Sequence, residues 1–236
     1  MSALRPTVAA VVPALDEAPS ITAVVAALRA HAAIDEVIVV DNGSTDATAA
    51  LARAAGARVI DEPRRGYGRA CHTGVAAARA DVILLLDGDG ADHPDDIPQV
   101  LAPLLAGDAD LVVGSRALGR REAGAMAPQQ VLGNRVATAL LRRHGLRATD
   151  VGPMRAIRRA DLEALGMSEM TYGWSVEMMV KAARRGLRYH EVPVTYRRRA
   201  GASKVSGTVR GALGAGWGML SAIARHSRWR GEAARS

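Results

Sequence analysis

Runs of apolar, β-branched residues alternate along the first half of the chain with segments in which apolar residues recur at helical spacing. Thr7–Val12 is a strand-like run closed by Pro13, and Ser20–Ala30 has helical period, with Pro19-Ser20 as its start. Glu36–Val40 (EVIVV) predicts a buried strand ending at Asp41, and Asn42-Gly43-Ser44-Thr45-Asp46 is a turn rich in capping residues before a helix over Ala47–Ala55. Ala57–Asp61 predicts a short strand, Gly68–Arg79 a helix, Val82–Leu86 (VILLL) a buried strand ending at Asp87, Asp95–Leu105 a helix and Asp110–Gly114 a strand. Continuous apolar strands joined by helices predict an α/β fold: a Rossmann-like, mostly parallel sheet with helices on both faces.

The second half is less regular. Gln129–His144 and Thr171–Arg185 read as helices, Asp150–Arg158 as a strand or loop, and Leu187–Tyr196 alternates as a strand does. Arg197–Gly207 is a basic loop with glycine and serine, and Thr208–Arg225 is a glycine-broken helix. No internal repeat or linker is visible, so a single domain is expected over residues 1–210, followed by a C-terminal helix and basic tail over 211–236.

Ligands of open parallel sheets sit at the carboxyl ends of the strands. Here those ends carry Asp16, Asp41, Asp87 and the pair Ser115-Arg116. Acids delivered to one edge by three strands are poorly explained by packing, since unpaired carboxylates are costly to bury.

Composition narrows the function. The 236 residues are 49% hydrophobic, which suits one core rather than a disordered chain. A single cysteine, Cys71, excludes a disulfide framework or a cysteine-built zinc site, and the six histidines show no ligand spacing. The net charge of +7 hides an asymmetry: residues 181–236 hold 13 Lys+Arg and 2 acids, net +11, whereas residues 1–180 hold 18 and 22, net −4. A basic quarter on a slightly acidic body calls for an anionic partner: nucleic acid, a membrane surface or a phosphorylated substrate. No secretion signal is legible, since Val8–Val12 is short and meets Pro13. Gly211–Ala224 is shorter than the roughly 20 residues of a bilayer span. The expected setting is cytoplasmic, with peripheral contact at the inner face of the membrane, where Gly211–Ala224 could lie in the interface. The same segment is compatible with a packed terminal helix or a homo-oligomer contact.

Asp87-Gly88-Asp89 directly after VILLL is the sharpest feature. Two carboxylates leaving a strand end together suit a divalent cation bound by one or two carboxylates plus substrate phosphates. The same string is also ordinary turn chemistry.

Taken together, Pro13-Ala14-Leu15-Asp16-Glu17, Val39-Val40-Asp41-Asn42-Gly43-Ser44-Thr45-Asp46 and Asp87-Gly88-Asp89 resemble glycosyltransferase family 2, with its GT-A fold, over about residues 7–210. Within that family the chain looks most like the dolichyl- or polyprenyl-phosphate glycosyltransferases. The resemblance implies Mg²⁺ or Mn²⁺ held by Asp87 and Asp89. It implies a nucleotide diphosphate sugar bound by Pro13, Leu15, Glu17, Asp41, Gly68, Asp87, Gly88 and Arg116, with Pro13, Glu17 and Asp41 at the base and ribose, Asp87 near the ribose and metal, and Arg116 near the phosphates or acceptor. It implies phosphate or acceptor contacts from Arg155, Arg199, Ser203, Lys204 and Trp174, with Asp89, Glu177, Arg155 and Lys204 as the catalytic set. The chain departs from the family at Asn42, where a second Asp is usual, and at Ala91, where lipid-phosphate relatives often carry a Gln that Asp92 or His93 would have to replace. It also has Gly152-Pro153-Met154-Arg155 where Ser-Gly-Phe-Arg is common.

The chemistry is consistent with this reading. Cleaving a sugar nucleotide leaves a diphosphate of greater negative charge, which a metal and cations such as Arg155 and Lys204 would stabilise. Arg197-Arg198-Arg199 and Lys204 flank Gly201-Ala202-Ser203, a loop able to close over phosphate. A hydroxyl acceptor needs a general base, for which Glu177 and Asp150 are the candidates. A lipid phosphate is already anionic and needs cations, which the late charge excess favours. The expectation is a metal-dependent transferase, inverting by resemblance, acting on a polyprenyl phosphate, with a soluble hydroxyl acceptor as the alternative. A nucleotidyltransferase would carry a glycine-rich basic loop after the first strand, where this chain has Pro13-Ala14-Leu15-Asp16-Glu17. A nucleic-acid-binding protein would not need the acidic strand ends. Gly66-Tyr67-Gly68 fails the dinucleotide spacing and reads instead as a loop approaching the sugar nucleotide. Cys71 reads as a buried structural thiol.

Overall fold

The computed structural model describes residues 5–201 and 209–230. Seven strands form one sheet in the order β3-β2-β1-β4-β6-β5-β7. They are β1 (Val8–Ala14), β2 (Glu36–Asp41), β3 (Arg58–Asp61), β4 (Val82–Leu85), β5 (Leu111–Ser115), β6 (Arg155–Arg158) and β7 (Tyr189–Pro193). The helices are α1 (Ile21–Ala30), α2 (Thr48–Ala54), α3 (Tyr67–Ala77), α4 (Ile97–Leu105), α5 (Pro128–Arg142), α6 (Arg159–Leu165), α7 (Trp174–Arg185) and α8 (Val209–His226).

The strands are apolar on both faces because both faces are covered. Val8, Ala10 and Val12 of β1 join Val37, Val39, Val82 and Leu84 under α1 and α4. The alternate residues Ala9 and Val11 join Ile38, Val40, Ile83 and Leu85 under α3, α6 and α7. Parity along each strand thus decides which helical layer a residue meets. Cys71 lies fully buried in the second layer, and burial pushes its thiol far up, as expected of an inert structural cysteine.

The predicted parallel sheet holds for β3-β2-β1-β4 and for β5 beside β7. β6 differs: it enters between β4 and β5 antiparallel to both, with Arg155 paired to Leu85 and to Val113. The long excursion through α5 returns the chain from the opposite end of the sheet. The division anticipated at residue 210 falls inside α8, whose Ala222 and Ile223 pack with Val176 and Met179 of α7 and Ala137 and Leu141 of α5.

Asp110 fastens the β5, β6 and β7 edge. It accepts from Arg188 Nε at 3.0 Å, Arg188 NH2 at 2.6 Å and Arg158 NH1 at 3.0 Å. The hydrogen bonds from Arg188 lead in lowering its pKa from 3.8 to about 2. A lowered folded pKa gives stability that is present above the unfolded value and lost as pH falls through the folded one. Asp110→Asn is therefore expected to cost about 1 kcal/mol near neutral pH, the modest size reflecting the exposed arginine. Chemical unfolding of the two proteins should converge as the pH falls to about 2.

Candidate active site

The carboxyl ends of β1, β2 and β4 open into a cleft of about 450 Å³, floored by Pro13, Ala14 and Leu15 and walled by Asp87, Gly88 and Asp89. The turn after β2 fixes the loop after β1. Asp16 takes a positive φ of 49°, uncommon for a residue with a side chain. Its amide donates to Ser44 Oγ at 2.9 Å, and its carboxylate accepts from the Thr45 amide at 2.6 Å. The Glu17 amide donates to Thr48 Oγ1 at 2.7 Å.

Asn42 uses both ends of its amide. Its Nδ2 donates to the carbonyls of Glu62 at 2.9 Å and Arg64 at 2.8 Å, and its Oδ1 accepts from the Gly66 amide at 2.8 Å. An Asp could not donate, so the departure from the family's second Asp is a brace that holds Arg65, Gly66 and Tyr67 against the cleft. This role, and the lining by Thr171 and Tyr172, are not evident from sequence, whereas Tyr67 lies in the glycine-flanked loop expected to approach the cleft.

Those glycines are required by close approach. A Cβ at Gly68 would stand 2.2 Å from the Glu169 carbonyl oxygen, and one at Gly66 2.2 Å from that of Met170. Gly68 supports the site from behind and does not itself line the cleft. Gly68→Ala is expected to push the 169–171 loop away and cost about 1–3 kcal/mol. Thermal unfolding checks the loss, and a raised KM for donor would report the displaced wall.

The carboxylates are held by backbone. Asp89 Oδ1 accepts from the Ala91 amide at 2.9 Å, and Ser20 Oγ donates to the Gly88 carbonyl at 2.8 Å. Arg199 reaches across the cleft, its NH2 donating to Glu17 Oε1 at 2.7 Å while its NH1 stands 3.4 Å from Asp89 Oδ2. The Ala200 amide donates to the Asp89 carbonyl at 3.1 Å and the Arg197 amide to that of Ala91 at 2.8 Å, so segment 197–200 is tied down over the acids. Burial, then the nearby Asp89 charge, raise the Asp87 pKa to about 7, against opposing contributions from Tyr67, Arg116 and Arg199. Burial, then Asp87 and Asp89, raise Asp92 as well.

Asp87 Oδ1 and Asp92 Oδ1 are buried without a hydrogen-bond partner. Among the described residues no group of three or more His, Cys, Asp or Glu forms a cage. Asp87, with a carboxylate oxygen to spare beside Asp89, fits a hard divalent cation that takes its other ligands from a diphosphate and water. Beside Ala91, His93 is engaged by Arg197 and by the Asp95 amide, whereas Asp92 Oδ2 accepts from the Asp87 amide at 3.3 Å.

Several expected site residues lie elsewhere. Glu177, expected as an acceptor-side acid, is fully buried; it accepts from the Ser168 amide at 2.8 Å and the Glu169 amide at 2.7 Å and pairs with Lys181 at 2.7 Å. Trp174, expected at the sugar, is 1% exposed within the second core layer. Arg155, expected to face a phosphate, is fully buried, donating to the carbonyls of Ser175 and Gly152. Arg116 is engaged by Asp150, with Nε at 2.8 Å from Oδ2 and NH2 at 2.8 Å from Oδ1, and stacks over Tyr196. That pair also occupies Asp150, the other candidate base. Asp41 is 8% exposed and accepts from the Ser44 amide at 3.3 Å, so Asn42 rather than Asp41 meets the cleft. Pro13, Leu15, Glu17, Asp87, Gly88, Asp89 and Arg199 do come together there. Ser203 and Lys204 lie outside the described residues.

Residues 9–166 match the family described as glycosyl transferase family 2. The chain belongs to this family. An uncharacterized glycosyltransferase of Mycobacterium tuberculosis is 43% identical over 209 residues, 87% of this chain and 93% of that one. A dolichyl-phosphate hexose transferase of Haloferax volcanii is 35% identical over 173 residues, 72% and 73% of the two chains. Glucosyl-3-phosphoglycerate synthase of Mycobacterium tuberculosis, solved with Mn²⁺, UDP and glucosyl-3-phosphoglycerate, superposes with a TM-score of 0.77 at 25% identity, covering 94% of this chain and 80% of its own. The chain is a glycosyltransferase enzyme with a GT-A sheet.

Proposed function

We propose that the protein is an inverting, metal-dependent hexosyltransferase that moves a sugar from a nucleoside diphosphate sugar to a polyprenyl phosphate. The observation that carries the donor half is the pair Asp87 and Asp89 in a cleft with Pro13, Leu15 and Glu17. Mg²⁺ or Mn²⁺ held by Asp87 and Asp89 would supply Lewis-acid stabilisation of the departing diphosphate. The presence of Mn²⁺ and UDP in the solved relative supports that assignment. Arg199, beside Asp89, adds a cation where charge develops.

Two observations favour a phosphate acceptor. The candidate bases, Glu177 and Asp150, are both engaged in buried ion pairs. A phosphate monoester needs no base: its oxygen attacks the anomeric carbon, the bond from that carbon to the diphosphate oxygen breaks, and the nucleoside diphosphate leaves with the electron pair. The dolichyl-phosphate hexose transferase relative points the same way. Ser203 and Lys204 belong to this proposal as residues of a loop that closes on phosphate. A second reading, a soluble hydroxyl acceptor that carries a phosphate, is favoured by the solved complex with glucosyl-3-phosphoglycerate.

The test is a panel of UDP- and GDP-sugars with Mn²⁺ or Mg²⁺, offered a short-chain polyprenyl phosphate or 3-phosphoglycerate. Turnover only with the polyprenyl phosphate is expected. Turnover only with phosphoglycerate would install the second reading, and turnover unchanged by chelator would remove the metal.

A further inference from the structure

Helices α5 and α8 lie side by side over α7, joined by Ala137, Leu141, Val176, Met179, Ala222 and Ile223. Their opposite faces are unusually apolar for a surface. Trp217 is 75% exposed, Leu132 63%, Val136 41% and Leu220 37%. On α5, Leu132, Val136 and Ala139 fall on one stripe by helical spacing; on α8, Trp217, Leu220 and Ala224 do the same. Both stripes look away from the core layer the two helices share, so they form one surface. Its α8 side borders the cleft: a Cβ on Gly218 would stand 3.6 Å from the Cβ of Tyr172, which lines the cleft and is itself 38% exposed.

The two helices carry charge of one sign. Neither helix contains an acid. Arg135 and Arg142 are exposed on α5 and Arg143 just after it, as are Arg228 and Arg230 beyond the end of α8; Arg225, also exposed, is paired with Glu169. A second copy of the chain is a poor occupant. A two-fold contact sets the same patch against itself, and that would press arginines against arginines. An anionic bilayer suits it better, because apolar side chains enter the acyl boundary while the arginines meet lipid phosphates. A tryptophan at the rim suits the headgroup level. No described helix is long and apolar enough to cross a membrane, so the contact would be peripheral.

We infer that the outward faces of α5 and α8 are a docking surface for an anionic bilayer, holding the cleft mouth at the plane from which a lipid phosphate arrives. The inference rests on the polyprenyl-phosphate reading for its purpose, but its test does not. The full chain is sedimented with vesicles of phosphatidylcholine, with or without phosphatidylglycerol, while tryptophan emission is recorded. Binding is expected only to the phosphatidylglycerol vesicles, weakening with salt, with a blue shift from Trp217. Trp217→Asp and Leu132→Asp should each lower partitioning by at least about tenfold. Transfer to a short-chain polyprenyl phosphate in solution should be unchanged in both. Wild-type protein left in the supernatant, or Trp217→Asp partitioning as wild type does, would overturn the inference. So would a Trp217→Asp variant that merely turns a dimer into a monomer. Vesicle binding without transfer to the short-chain phosphate would support the surface and overturn the acceptor reading alone.

Discussion

Asp89→Ala is expected to lower sugar transfer by about 10²-fold or more, some 2.7 kcal/mol of transition-state stabilisation. Asp89 is one of the two carboxylates that would hold the cation at the diphosphate, and it stands beside Arg199. Its removal is expected to leave the fold in place, because segment 197–200 is anchored to the backbone carbonyls of Asp89 and Ala91, which alanine keeps. Alanine loses the bond from the Ala91 amide, worth about 1 kcal/mol, and a 3.4 Å contact to the partly exposed Arg199 guanidinium, worth about 1 kcal/mol or less, but it also removes a like charge from beside the buried Asp87. The experiment follows initial rates with a nucleotide sugar and Mn²⁺, beside Mn²⁺ binding measured by paramagnetic resonance and a melting curve. Loss of Mn²⁺ affinity together with rate, at nearly unchanged melting temperature, is the expected pattern. Transfer within about threefold of wild type would remove Asp89 from the metal.

The strand-end cleft was legible because it is written in the ends of the strands. Once Val8–Ala14, Glu36–Asp41 and Val82–Leu85 pair in parallel, the residues that follow them share one edge, so Pro13, Leu15, Glu17, Asp87 and Asp89 meet whatever the loops do between. The acceptor half depends on where the chain goes after β5, and local periodicity says nothing of that. Arg155 illustrates the difficulty. As a loop residue it would face a phosphate, but as the first residue of an antiparallel strand between Leu85 and Val113 it points into a packed layer. Trp174 and Glu177 share this difficulty, since the amphipathic face of α7 is legible but not the layer that covers it. Helix α6 went unforeseen because its seven residues, closed by Gly166 at a φ of 56°, lie within the length of a turn and cap.

The second large effect is on stability. Glu177→Gln is expected to destabilise the protein by about 3 kcal/mol, because it breaks a fully buried pair and leaves Lys181 charged without a counterion. Lys181 is 2% exposed and Glu177 0%; besides their 2.7 Å contact, Lys181 Nζ donates to the Gly166 carbonyl at 2.6 Å, and His226 Nε2 stands 3.4 Å from Glu177. Together they fix residues 166–169, whose continuation delivers Thr171 and Tyr172 to the cleft. Burial acts to raise the Glu177 pKa, but the hydrogen bonds from Lys181, Ser168 and the Glu169 amide outweigh it and leave the carboxyl below 4.5. The pair's stabilisation is therefore present above the ordinary carboxylate range and fades as pH falls through the lowered value. Glu177→Gln should be less stable at neutral pH and should lose part of the wild type's acid transition. Adding Lys181→Met, which removes the stranded cation, should return part of the loss, so that the double variant costs less than the two single ones summed. Kinetics separates this positioning role from a catalytic one. Well below its melting temperature Glu177→Gln should keep kcat and shift chiefly KM, whereas a general base at this position would cost about 10²-fold or more in kcat with a hydroxyl acceptor.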